Sequence, residues 1–154
     1  MITVVLGTRA ELIKMASVIR ELSRRKIKYS LVHAGQQDVY DLVKSLGLRS
    51  PDVVLDESAF KKGRFGTSIL SALLWNLKMF FKIRSTLSKQ KPSIVLVHGD
   101  TMTTATSALA AKSILFGGPK VAHVEAGLRS FDLMEPFPEE ISRLKTDFWS
   151  DYLF

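Results

Sequence analysis

KVAHVEAGLRSFDLMEPFPEEISRLKT, residues 120–146, changes character halfway along. Val121, Ala122 and Val124 make its first part a buried strand. Beyond them His123, Glu125, Arg129, Glu135, Glu139, Glu140 and Arg143 are threaded through the turn formers Gly127, Pro136 and Pro138. A connecting loop has no need of so many charges beside Leu128, Phe131, Leu133, Met134 and Phe137. Two readings are open here. Pro138, Glu139 and Glu140 suit the first turn of a helix over 139–148. Carboxylates and guanidiniums on a proline-stiffened loop at a strand end also suit a prepared polar site. The other strand ends decide between them.

Working outward, apolar runs alternate with helical patterns. Strands are expected at 2–6, 29–33, 53–55, 94–97 and 120–124, with a further one beginning over 151–154. Helices are expected at 10–26, 38–46, 67–88, 103–115 and 139–148. The inner face of the first helix is expected to carry Ile13, Val18, Ile19 and Leu22. Asp38 is expected to cap the second helix and Gly47 to stop it. Asp56–Gly66 reads as a loop. Strands alternating with helices make an α/β fold: a parallel sheet with helices on both faces, in one domain spanning 1–154. Right-handed crossovers favour the order 3-2-1-4-5, with a sixth strand at the end.

In such a sheet ligands bind at the carboxyl ends of the strands, where the order reverses. Gly7-Thr8-Arg9 follows strand one, Gln36 and Gln37 follow strand two, Gly99-Asp100-Thr101 follows strand four, and Glu125 follows strand five. Four polar clusters, distant in sequence, thus reach one rim, which favours the site. Asp100, Glu125 and Glu139 with Arg9, Lys14 and Arg143 suit a substrate that carries phosphates and has protons to be moved. Neighbouring carboxylates push each other's pKa values apart, so that one can act as base and another as acid.

Composition narrows the classes. With no cysteine there is neither disulfide nor thiolate chemistry. His33, His98 and His123 each end a strand without the spacing of a ligand set, so no metal is expected. Neither a G-x-G-x-x-G nor a Walker A lysine motif occurs, and no cofactor is expected. The formal charge is +7, but the cations are dispersed and no aromatics alternate with them, which speaks against nucleic acid. The most apolar uncharged run, Phe65–Leu77, is too short to span a bilayer. The N-terminus enters a strand without a charged leader, so no signal peptide is expected and the cytoplasm is the expected compartment. The helix over 67–88 is apolar on more than one face. The sheet covers one side; a partner chain or domain is the natural second cover, unless the helix is wholly internal.

GTRAELIKMA (7–16), HAGQ (33–36), HGDT (98–101), HVEAGLR (123–129) and PFPEE (136–140), in this order, resemble the non-hydrolysing UDP-N-acetylglucosamine 2-epimerases. The resemblance implies a Rossmann-like domain, one half of a glycosyltransferase-B-type two-domain fold, with the site in the cleft between the halves. It implies interconversion of UDP-GlcNAc and UDP-ManNAc by elimination and re-addition of UDP. Asp100, Glu125 and Glu139 would be the acid/base or charge-stabilising carboxylates. Arg9, Lys14, Gln36 and Arg143 would support phosphates or orient those carboxylates. It implies a role in supplying cell-envelope polysaccharide, and a homodimer for which the 67–88 helix is the candidate interface. The resemblance ends with the first domain, so the chain is expected to be inactive alone, the C-terminal UDP-binding domain being absent or supplied by a separate polypeptide. The family's usual Pro, His and Asn are replaced by Ala10, Gln37 and Ser142, and the last two leave room for another N-acetylated sugar. A glycosyltransferase-type domain and a non-catalytic dimerising or nucleotide-sugar-binding module are the competing readings.

Overall fold

A computed structural model describes residues 1–35, 37–56, 69–114, 117–131 and 138–154. The elements, in chain order, are β1 (Ile2–Leu6), α1 (Arg9–Arg24), β2 (Tyr29–His33), α2 (Tyr40–Ser45), β3 (Val53–Val54), α3 (Ile69–Gln90), β4 (Ile94–His98), α4 (Met102–Lys112), β5 (Lys120–Val124), α5 (Glu139–Trp149) and β6 (Tyr152–Leu153). The six strands form one sheet in the order β3-β2-β1-β4-β5-β6. Every pairing is parallel, with Val4 opposite both Leu31 and Leu96, and Val95 opposite Val121. This is the expected α/β topology, and its switch point falls between β1 and β4.

Strand side chains alternate between two faces, and each face has its own core. Val4, Leu6, Leu31, Leu96 and Ala122 pack under α1 and α2. Val5, Val32, Val95, Val97 and Val121 pack against Met79, Ile83 and Leu87 of α3 and Ala108, Ala110 and Ala111 of α4. Burial of a side chain such as Ile19 or Ile83 contributes about 1.5–3 kcal/mol. The small residues of α4 let it lie close to the sheet.

Several local expectations need correcting. The buried stripe of α1 is Leu12, Met15, Ile19 and Leu22, whereas Ile13 is 53% exposed. Ile19 and Leu22 lie inward as expected and Val18 packs against the same core; a helix turns about 100° per residue, so with Leu12 inward its neighbour Ile13 points away. The helix also ends two residues early. Lys26 takes a left-handed φ of 57°, and the Ile27 amide donates to the Leu22 carbonyl at 2.9 Å, which closes the last turn. Val39, not Asp38, occupies the N-cap of α2; Asp38 Oδ1 instead accepts the Tyr40 amide from just outside the helix, at 2.9 Å. α4 begins one residue before the expected Thr103, because Thr101 caps it and accepts the Thr104 amide at 3.2 Å. Most of the expected loop over 56–66, the helix start at 67–68 and the Leu115 helix end lie outside the described residues.

Gly35, after β2, has φ 90°, and a Cβ there would stand 1.9 Å from the Asp56 carbonyl oxygen. Only glycine lets the β2 turn pass this close to the chain leaving β3. Asp56 itself is buried and accepts from Lys78 of α3 at 2.7 Å.

Candidate active site

The polar turns gather along the carboxyl rim of the sheet. After β1, Thr8 and Glu11 form a reciprocal cap: the Thr8 hydroxyl accepts the Glu11 amide at 3.2 Å, and Glu11 Oε2 accepts the Thr8 amide at 3.0 Å. This aims the start of α1, with Lys14 in its second turn, at the rim. After β5 the chain bends at Glu125, whose φ of 65° costs a non-glycine residue about 1–2 kcal/mol. Its side chain meets two partners. Lys14 Nζ donates to both Glu125 oxygens, at 2.9 and 2.8 Å, and His98 Nε2 lies 3.1 Å from Oε2. The Lys14 ammonium holds the Glu125 carboxyl below the usual range, against a smaller opposing effect of burial. Burial pushes the His98 imidazole down, and Glu125 partly opposes this. His98 Nδ1 is buried and has no hydrogen-bond partner among the described residues.

Arg143, one turn into α5, reaches across the rim. Its guanidinium donates to Asp100 through Nη2 and to Glu140 Oε2 through Nη1, the latter at 3.2 Å. Glu140 also accepts the Ser130 amide at 3.2 Å. Beside this bridge lies a cavity of about 400 Å³, with Gln37, Asp100, Thr101 and Glu139 on its polar side and Ala72 and Met102 on its apolar side. Glu139 Oε2 is buried and has no partner among the described residues. Glu125 stands beside the turn that precedes Asp100: its Oε2 would lie 3.8 Å from a Cβ built on Gly99.

Of the expected site residues, Asp100 and Glu139 share this cavity, Glu125 pairs with Lys14, and Asp100 pairs with Arg143. Arg9 meets none of the three carboxylates in a described ion pair or hydrogen bond. Its Nη1 donates to the Asp38 carbonyl and its amide donates to Gln37 Oε1, both at 3.0 Å, which places it at the β2–α2 turn. Gln37 thus braces Arg9 as well as lining the cavity. Gln36, Leu133, Met134 and Phe137 lie outside the described residues, while Phe131 is exposed.

Sequence reasoning gave no site role to four residues that hold this rim. Glu11 and Glu140 are buried. The Thr8-x-x-Glu11 spacing of a capping box could have drawn attention to the first; the second stands in the charged run after β5 and suited a helix start, but nothing local marks it as the partner of Arg143. His98 supports Glu125. Asp147 joins His123 Nδ1 at 2.6 Å, Arg129 at 2.6 Å and the Gly127 amide at 3.1 Å, while His123 Nε2 donates to the Gly99 carbonyl at 2.7 Å. Burial pushes the Asp147 carboxyl up, but Arg129, His123 and the Gly127 amide together outweigh it and hold the group below its ordinary value. Through this chain α5 braces the turn that carries Asp100. Among the described residues no cluster of three His, Asp or Glu side chains could hold a metal ion, and no helix is long and apolar enough to cross a membrane.

The sequence and the parallel sheet are shared with known proteins. The sequence model of the UDP-N-acetylglucosamine 2-epimerase family matches residues 20–154. The UDP-N-acetylglucosamine 2-epimerase of Methanococcus maripaludis is 40% identical over 99% of this chain and 38% of its own length. A Pseudomonas aeruginosa UDP-2,3-diacetamido-2,3-dideoxy-D-glucuronate 2-epimerase is 35% identical over 99% of the chain and 40% of its own. The crystal structure of Methanocaldococcus jannaschii UDP-GlcNAc 2-epimerase in complex with UDP-GlcNAc and UDP superimposes with a TM-score of 0.82 at 36% identity, covering 99% of this chain and 39% of that one. The chain thus spans about two fifths of the length of these relatives, and its fold is one half of a glycosyltransferase-B-type two-domain arrangement. On this match of sequence and fold, the chain belongs to the UDP-N-acetylglucosamine 2-epimerase family.

Proposed function

We propose that this polypeptide supplies the N-terminal half of the site of a nucleotide-sugar 2-epimerase that interconverts UDP-GlcNAc and UDP-ManNAc. The observation that carries the reading is the cavity wall, which Asp100 and Glu139 line together beside Arg143, with Glu139 Oε2 lacking a hydrogen-bond partner among the described residues. The C2 hydrogen of such a sugar is not adjacent to a carbonyl, so simple deprotonation is difficult. Elimination avoids the problem. A carboxylate takes the C2 proton, the C1–O bond to UDP breaks with its electron pair leaving on UDP, and a C1–C2 double bond remains. Re-addition reverses these steps, with the proton delivered to the opposite face of C2. Asp100, Glu125 and Glu139 are the candidate acid/base and charge-stabilising groups. Lys14 holds Glu125 ionised, Arg143 holds Asp100 in place, and Arg9 and Gln36 are candidate substrate-binding residues.

The same reading makes the chain inactive without a second, UDP-binding domain. Glutamine at 37 and serine at 142 keep a related N-acetylated sugar open as substrate, as in the Pseudomonas relative. Cytoplasmic residence and supply of cell-envelope polysaccharide belong to the proposal. The test is proton NMR in deuterated water with UDP-GlcNAc. The chain alone should place no deuterium at C2. Fused to the C-terminal domain of the Methanococcus maripaludis relative, it should place deuterium there and form the 2-epimer. Exchange by the chain alone would overturn the half-site reading. Sugar transfer to an acceptor without 2-epimer would favour a transferase.

One observation favours a further role as a dimerising module. Leu73, Leu74, Leu77 and Phe81 of α3 are each more than half exposed, while Met79, Ile83 and Leu87 on the opposite face are buried. A homodimer through this helix, within 67–88, is the proposed cover.

A further inference from the structure

Two links join α1 to the elements around β4, and they differ in strength. The outer link runs from Lys14 through Glu125 to His98. Lys14 and Glu125 side chains are 55% and 33% exposed. A pair so open to water contributes under about 1 kcal/mol and cannot by itself hold its own geometry. The inner link is Glu11, which is 4% exposed. Its Oε2 accepts the Gly7 and Thr8 amides at 2.5 and 3.0 Å, and its Oε1 accepts the Thr101 hydroxyl at 2.6 Å. Oε1 also lies 3.2 Å from Thr104 Oγ1, whose hydroxyl donates to the His98 carbonyl at 2.7 Å.

A single carboxylate therefore joins the β1–α1 turn, the cap of α4 and the end of β4. Capping α1 requires only Oε2, and the glutamate of a capping box does that job at a protein surface. Burial is expensive for a carboxylate, and only additional donors offset it. Burial pushes the Glu11 carboxyl up, while Thr101, Gly7, Thr8 and Thr104 pull it down. The extra donors lie on the far side of the switch point, next to Asp100. Lys14 stands one helical turn beyond Glu11 on α1.

We propose that Glu11 is a positioning residue: through Thr101 it fixes α1 against the β4–α4 turn, so that Lys14 meets Glu125 and Asp100 keeps its place in the cavity wall. The proposal rests on the epimerase reading only in taking Lys14, Asp100 and Glu125 as site residues. Its test needs no turnover, so a failed epimerase assay would count against that reading and not against this one.

Thr101→Val cuts the link while leaving Glu11 and the Thr8 cap untouched, and Thr101→Ser restores the hydroxyl. The readout is carbon-13 NMR titration of the Glu125 side-chain carboxyl in the full chain. Glu125 should titrate below the ordinary carboxylate range in the wild type and in Thr101→Ser. In Thr101→Val it should move up by about half a pH unit or more as Lys14 draws away. A folded Thr101→Val whose Glu125 titrates like the wild type overturns the proposal. Losing the α4 cap alone would lower stability without moving that titration. Should Thr101→Val fail to fold, Glu11→Asp decides by the same two outcomes, since it keeps a capping carboxylate one methylene short of Thr101.

Discussion

Lys14 and Glu125, 111 residues apart in the chain, meet through both carboxylate oxygens at 2.9 and 2.8 Å. The contact holds the Glu125 carboxyl below its ordinary value. An acid depressed in the folded state stabilises the fold above its ordinary pKa, and that stability is lost as pH falls through the folded value. Lys14→Met should therefore raise the Glu125 titration toward the ordinary range. It should cost under about 1 kcal/mol at neutral pH, because the pair is open to solvent. Carbon-13 titration and urea unfolding measure the two effects; an unmoved Glu125 would show that Lys14 does not set its charge.

Arg143 is held differently. It bridges Asp100 and Glu140, and Glu140 is only 2% exposed. Arg143→Met leaves that carboxylate with the Ser130 amide as its sole described hydrogen-bond donor. Removing one member of a buried ion pair costs about 3 kcal/mol or more. Chemical denaturation should show a loss of that size, with Arg143→Lys intermediate because it keeps the charge and loses the fork. A loss under about 1 kcal/mol would mean that Glu140 finds another partner.

His33 should make the fold acid-sensitive. Burial lowers its pKa from 6.5 to about 4, although Asp38 opposes this, and its Nδ1 accepts the Gly35 amide at 3.1 Å. Between about pH 6.5 and 4 the unfolded chain binds the proton first, so stability falls on acidification, by up to about 3 kcal/mol from this group. His98, also lowered by burial, acts in the same direction, while Glu11, raised by burial, acts in the opposite one. Comparing wild type with His33→Gln across this window isolates the His33 share. Parallel stability curves for the two proteins would refute it.

The open face of α3 predicts self-association. Leu73→Lys combined with Phe81→Glu should convert a dimer to a monomer in light scattering at high micromolar concentration, with the helical signal unchanged. Monomeric wild-type protein under those conditions would remove the proposed interface.

The architecture was legible because its determinants are local and repeat. Apolar runs such as Ile2–Leu6 and Ile94–Val97, separated by helical patterns, leave few topologies once crossovers are right-handed, and the β3-β2-β1-β4-β5-β6 order followed. Residue types at strand ends likewise placed Asp100, Glu125 and Gly7-Thr8-Arg9 on one rim. The partners were not legible. Whether Leu12 or Ile13 faces inward is one residue of helical phase, which packing against Val4 and Leu6 decides. That Glu11 crosses to Thr101, Lys14 to Glu125 and Arg143 to Asp100, while Arg9 turns away to Asp38, depends on distances across the switch point. Those distances arise only when strands far apart in sequence lie side by side, because side-chain pairing is set by three-dimensional reach and solvent exclusion and leaves no periodic mark on the chain.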